Sequence, residues 1–341
     1  MNKITSIIIS MTILMLIAVS PVSANNAYED NGDFRYIYGN ENSYYKVLYK
    51  KSNSEKEIPK IEFLESYNNK IVDDIGFTNC EDDEKAESLK VNTIHIPKYV
   101  KEVRLECVDY PELCDSPERL ISLRNIEVDK ENPYLCSKDG VLYSKDMKTI
   151  HLYPNRNSMI VYKMPNNIAD YTGSPLLTQR NNLKKLYLSD NLKEIGYYFA
   201  AKCKKLEYVS IGKKTKKIGE YAFYENKILK TVKIKSKKLK SINSAAFGYC
   251  KSLKKISIPL SVKKIDEFAF GCCKNLSKVY INNKKKSPKI VYNAFENTKK
   301  GIKFYVKNKK VAKSLKKQLK GSGVRNAKIL VGKKVVYKNV K

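Results

Sequence analysis

A cassette of about 23 residues recurs through the second half of this 341-residue chain, and no feature restricts the fold more. Aligned on their leucines, the units LKKLYLSDNLKEIGYYFAAKCKK, LEYVSIGKKTKKIGEYAFYENKI, LKTVKIKSKKLKSINSAAFGYCKS and LKKISIPLSVKKIDEFAFGCCKN begin at Leu183, Leu206, Leu229 and Leu253. A fifth opens at Leu276, and a sixth begins as GIKFYV at 301. Apolar residues at relative positions 0, 3 and 5 alternate as in a short strand with one buried face. A second apolar anchor follows at about position 12, as Ile195, Ile218, Ile242, Ile265 and Ile290, with an Ala-Phe pair four and five residues on. That spacing is one helical turn, so Ile and Ala-Phe can face inward together on a short helical or 3₁₀ segment. One unit cannot bury both faces alone, whereas stacked units can, so each cassette is one coil of a solenoid.

The pattern L-x-x-L-x-L followed by Ile-Gly-x-x-Ala-Phe-x-x-Cys resembles the BspA-like leucine-rich repeats of bacterial surface and secreted proteins. The resemblance implies an α/β repeat solenoid, with short parallel strands on one face and short helical or 3₁₀ turns on the other. The stretch IEVDKENPYLCSKDGVLYSKDMKTIHLYP, 126–154, is similar to the hairpin insert that interrupts such arrays, and Lys138-Asp139-Gly140 is a tight-turn signal within it. Weaker units stand at VNTIHIPKYVKEV from 91, LRNIEV from 123, 162–176 and 73–80. In the dense region, Phe199-Ala200 inverts the Ala-Phe pair, and Asn226 and Thr298 replace the Cys. The expected organisation is a signal peptide at 1–24, an N-terminal segment at 25–88, the solenoid at 89–306 and a C-terminal cap at 307–341. In the cap, Val311, Leu315 and Leu319 form the apolar side of a basic helix. Such a helix could lie on an anionic membrane, but the open end of a solenoid needs covering, and capping is the expectation.

Lys3, the apolar run from Ile4 and the small residues to Ala24 read as a secretory leader, so the protein is expected to be secreted or associated with the cell surface without a covalent anchor. Charge is divided unevenly. Residues 1–180 carry 22 Lys and Arg against 27 Asp and Glu, and residues 181–341 carry 44 against 8. The basic character therefore belongs to the repeats.

Cys203, Cys250 and Cys273 share one repeat position that also accepts Asn and Thr, which suits a turn-packing thiol better than a disulfide. The pairs Cys272-Cys273 and Cys107 with Cys114 are where an exception would fall. His95 and His151, the only histidines, lie in strand-like alternation, and the acidic run Glu81–Glu84 lacks the glycine turn of a calcium loop. No zinc, phosphate-loop or nucleophile-elbow motif occurs. The expectation is no catalytic site, no metal and no cofactor. An enzyme on wall or matrix polymers, with the repeats as a targeting module, is the alternative.

Positions 2 and 4 of each strand point away from the core. The candidate ligand-binding residues are there: Lys185, Tyr187, Tyr208, Lys233, Lys255, Lys278, Tyr280, Lys303 and Tyr305, on what the resemblance implies is a concave face. Tyr offers contact area at low entropic cost, and Lys offers charge. A second basic band follows each strand, at 213–217, 235–240, 262–264 and 283–285. The expected function is non-catalytic, adhesin-like binding of macromolecules. The resemblance implies host matrix or cell-surface protein or glycan as partner, and the charge adds an anionic cell-wall polymer. Export argues against a specific nucleic acid, although a basic stripe with Tyr suits one chemically.

Overall fold

The computed structural model describes residues 28–31, 34–38, 44–49, 58–67, 70–77, 91–105, 122–172 and 175–340. The expected leader, the acidic run and Cys107 with Cys114 lie outside these residues. The L-x-x-L-x-L segments form parallel strands in strict register. Val161–Lys163, Lys185–Tyr187, Tyr208–Ile211 and Thr231–Ile234 make one sheet. Lys255–Ile258, Lys278–Ile281, Lys303–Val306 and Ala327–Val331 make a second, closed by the antiparallel strand Lys334–Val340. The break between the sheets falls beside a coil one residue longer than the two before it, with the extra residue between Thr231–Ile234 and Ile242.

The inner isoleucines do not begin helices. Glu194–Ile195, Lys217–Ile218, Ser241–Ile242, Lys264–Ile265 and Lys289–Ile290 are two-residue parallel strands that pair in sequence. This sheet runs unbroken past the gap in the main one. At its start Gly219 passes so close to the coil before it that a β-carbon would stand 2.7 Å from the backbone of Gly196. No Cβ fits there.

The helical or 3₁₀ face expected from the Ile-to-Ala spacing is therefore corrected. The segments that follow are tandem turns, and the only α-helix among the described residues is Lys309–Gln318. Each of these coils places the third and seventh residues after its Ile in the left-handed region: Tyr198 and Lys202, Tyr221 and Glu225, Ala245 and Tyr249, Phe268 and Cys272, Asn293 and Asn297. Two left-handed residues four apart interrupt any right-handed helix. Backbone hydrogen bonds show what is gained. Tyr221, Phe223 and Glu225 donate to the carbonyls of Ser244, Ala246 and Gly248 in the next coil, and Ala222 and Tyr224 donate back within the turn to Gly219 and Tyr221. Alternate N–H groups thus stitch coil to coil, which a helix, satisfying its own donors, cannot do.

Inside, the Ala-Phe pairs stack. Phe223, Phe247, Phe270 and Phe295 lie 5.3, 5.5 and 5.3 Å apart between successive ring centroids and within about 10° of parallel. Phe199, from the inverted pair, meets Phe223 edge-on at 6.4 Å and Tyr171 at 5.0 Å. The Cys position is buried, and its thiols donate to carbonyls of the preceding coil: Cys203 to Leu177 at 3.1 Å, Cys250 to Phe223 at 3.3 Å and Cys273 to Phe247 at 3.0 Å. Asn226 does the same work with two bonds, from Nδ2 to the carbonyls of Ala200 and Phe223. Arg180 holds this position at the first coil, where its guanidinium donates to the carbonyls of Tyr153, Leu176 and Thr178. One core runs from Val141 to Val340, with Val311 and Leu315 of the C-terminal helix and Leu319 at its C-cap packed into it. A smaller one joins Ile61, Ile75 and Ile94 to Leu142. The turn at Lys138-Asp139-Gly140 is a two-residue hairpin loop, with Asp139 and Gly140 both at positive φ between Leu135–Lys138 and Val141–Ser144.

Candidate binding surface on the outward face of the main strands

The ladders bring the candidate residues together as two columns. At position 2, Lys185 faces Tyr208 and Tyr208 faces Thr231; beyond the break, Lys255 faces Lys278, Lys278 faces Lys303, and Lys303 faces Lys328. At position 4, Tyr187 faces Ser210 and Ser210 faces Lys233, followed after the break by Ser257, Tyr280, Tyr305 and Leu330. Tyr280 and Tyr305 stack at 4.8 Å and 17°, and Tyr187 and Tyr208 meet diagonally at 5.2 Å. Lys328 and Leu330 were not among the expected site residues. Their signal was the alternation Lys-Ile-Leu-Val in AKILV, which repeats Lys303-Phe304-Tyr305-Val306.

The four lysines of the C-terminal column stand one strand spacing apart, about 4.8 Å between backbones. Neighbouring unit charges at about 5 Å repel by roughly 0.8 kcal/mol in bulk water, and by more near a protein surface. Among the described residues, no carboxylate pairs with any of the four, and Lys264–Asp266 at 2.6 Å is the only ion pair between 241 and 340. The earlier coils differ. Lys230 pairs with Glu207 at 2.9 Å, and Asp190 takes Lys213 at 2.7 Å and Lys235 at 3.5 Å. Hydrogen bonding to Lys230 holds the Glu207 carboxyl below its usual range, and Lys213 does the same for Asp190.

The other candidate chemistry does not assemble. Cys136, Cys203, Cys250, Cys272 and Cys273 are free, so the adjacent Cys272-Cys273 pair makes no disulfide. Burial pushes the Cys203 thiol up to about 12 and raises those of Cys250 and Cys273 well above the usual thiol range. These are protonated packing groups and poor nucleophiles. His95 lies 3.8 Å from Glu127, and His151 stands 3.4 Å from the Thr172 hydroxyl with its pKa lowered by burial. Among the described residues, no group of three or more His, Cys, Asp or Glu side chains could hold a metal ion.

Residues 172–302 match the profile of the BspA type leucine rich repeat region, in six copies. Among solved structures, the chain is similar to the pneumococcal vaccine antigen PcpA, at 16% identity and a TM-score of 0.50, over 90% of this chain and 99% of that one. A leucine-rich repeat protein from Eubacterium ventriosum ATCC 27560 aligns at 18% identity and a TM-score of 0.48, over 80% and 94% of the two chains. A leucine rich cell surface protein from Faecalibacterium prausnitzii A2-165 aligns at 13% and 0.40, over 92% and 97%. No curated protein matches the sequence. The likeness to the pneumococcal antigen is one of fold, and the sequence match stands on the cassette itself. Residues 172–302 of this chain are a BspA-type leucine-rich-repeat region.

Proposed function

We propose that this protein is a non-catalytic, secreted or surface-associated interaction protein that binds anionic macromolecules across the outward face of its main strands. The column Lys255, Lys278, Lys303 and Lys328 carries the reading. It is regularly spaced, has no carboxylate partner among the described residues, and is flanked by the stacked rings of Tyr280 and Tyr305. A folded chain gains nothing internally from such a column, because adjacent like charges repel, whereas a bound polyanion relieves the repulsion and releases counterions. The tyrosines add flat contact area for the ligand's uncharged parts, whether sugar ring or peptide. Lys185, Tyr187, Tyr208 and Lys233 extend the same face, with less charge.

The test is retention of the mature protein on immobilised heparin and on purified anionic wall polymer as salt is raised, beside a variant with Lys255, Lys278, Lys303 and Lys328 changed to Gln. Retention that weakens steeply with salt and is largely lost in the variant supports the reading. Equal retention of the two proteins contradicts it. Hydrolysis of a wall or matrix polymer by the purified chain would favour the enzyme alternative instead.

A further inference from the structure

A second cationic surface runs along the side of the stack, formed by the segments that lead from main strand to second strand. Lys193, Lys216, Lys240, Lys263 and Lys289 occupy successive coils. The N–H of each donates to the carbonyl of the one before, at 2.6, 2.7, 2.8 and 2.8 Å. Backbone pairing thus fixes one exposed lysine per coil, and among the described residues none of the five is in an ion pair. At the C-terminal end the column enters a groove of about 890 Å³ lined by seven lysines, among them Lys240, Lys263 and Lys289 and the run Lys284, Lys285 and Lys286, and by no Asp or Glu.

Two further observations separate this groove from a merely solvated basic surface. Asn283 on its wall is nine-tenths buried and fixed by donation from Nδ2 to the carbonyls of Leu260 and Val262, both at 3.1 Å, yet its Oδ1 has no partner. The hydroxyl of Ser261, also on the wall, is buried and equally unpartnered. Buried polar atoms without partners are uncommon in a settled fold; the Ser261 hydroxyl can donate to an anionic oxygen of a ligand, and the Asn283 Oδ1, an acceptor, can take a hydrogen bond from a water that bridges to such an oxygen. The groove also concentrates the field of its lysines between low-dielectric walls.

We infer that this groove is a binding site for a linear polymer bearing phosphate or sulfate groups, distinct from the face of the main strands. Lysine presents a point charge and makes no planar fork, which suits anionic groups repeated along a flexible chain better than a single carboxylate. No aromatic residue lines the groove, so it offers no stacking platform for nucleobases, and its apolar contacts are Leu260, Val262 and Pro288. It shares no lining residue with the columns of the main strands, so the two sites can fail independently.

The experiment is titration of the mature full-length protein with long-chain inorganic polyphosphate and, separately, with heparin, at several salt concentrations. The comparison is with a groove variant, Lys240→Gln, Lys263→Gln, Lys286→Gln and Lys289→Gln, all at exposed positions, whose unfolding midpoint is checked against the parent. The variant is expected to bind at least tenfold more weakly and to lower the slope of log affinity against log salt by about 3. Loss toward polyphosphate alone assigns phosphate as the ligand group, loss toward heparin alone assigns sulfate, and loss toward both supports the shared chemistry. Unchanged affinity for both probes overturns the site, whatever the main-strand column does in the same assay.

Discussion

The two halves of the main sheet have the same interior and different exteriors. On both sides of the break between Thr231–Ile234 and Lys255–Ile258, the inward leucines, isoleucines and valines keep their register, and the second sheet runs through from Glu194 to Ile290. Outward, the N-terminal half alternates Lys185, Tyr208 and Thr231 and pairs nearby lysines with Glu207 and Asp190. The C-terminal half shows four lysines in line, and residues 241–341 hold 27 Lys and Arg against three Asp and Glu. Coils with nearly the same core can thus be built with neutralised or bare lysines. Bare charge is therefore no requirement of the stack, and the anionic ligand proposed above would account for its concentration in one half.

The largest expected effect tests whether the interiors are as alike as described. Phe270→Ala, which removes a ring stacked on both sides, should destabilise the protein by about 3–5 kcal/mol in a denaturant titration. Phe199→Ala, at the edge-on pair, should cost less; a larger loss at Phe199 would place the main packing in the N-terminal half. Next comes the exterior. Changing Lys255, Lys278, Lys303 and Lys328 to Gln should weaken heparin binding about a hundredfold, about 2.7 kcal/mol. Changing Lys185 and Lys233 to Gln should alter it less than about threefold, and similar losses in both variants would erase the contrast between the halves.

Asn226→Ala leaves the Ala200 carbonyl without its donor and the Cys203 N–H, which donates to Asn226 Oδ1 at 2.9 Å, without its acceptor in a buried site, and should cost about 1–3 kcal/mol. Lys278→Glu would sit between Lys255 and Lys303 and should raise stability by about 1 kcal/mol at low salt, while Lys185→Glu, between Val161 and Tyr208, should leave it unchanged. If Lys278→Glu does not stabilise, the column is already relaxed by solvent. The last effect is absent near neutral pH and appears only in alkaline solution. The thiols of Cys203, Cys250 and Cys273 titrate higher folded than unfolded, so their contribution is complete below about pH 9. It should fade as pH rises toward 12, when the unfolded thiols ionise first. A chain with all three changed to Ala should lose part of that alkaline slope.

The repeat, the strand register and the outward columns were legible because each follows from alternation: Leu186, Val209, Ile256 and Val279 must point inward, so Lys185, Tyr208, Lys255 and Lys278 point out. The tandem turns were not legible. Ile-x-x-x-Ala is helical spacing, and of the left-handed residues that forbid a helix only Asn293 and Asn297 are of a type that announces itself, while Tyr198, Phe268 and Cys272 are not. Their conformation is set by hydrogen bonds to the next coil, a tertiary cause that local pattern cannot carry. The break in the main sheet was equally hidden, although the 24-residue unit that adjoins it was visible. Lys328 was missed because the leucine alignment ended at 306, before the C-terminal helix, whereas its strand adds one more rung after that helix.

Acetylation footprinting of the lysines with and without bound heparin oligosaccharide tests the central claim most directly, because each lysine reports for itself. Protection of Lys255, Lys278, Lys303 and Lys328, with Lys185 and Lys233 still reactive, is the predicted result. Protection confined to Lys185 and Lys233, or none at any of the six, would contradict it.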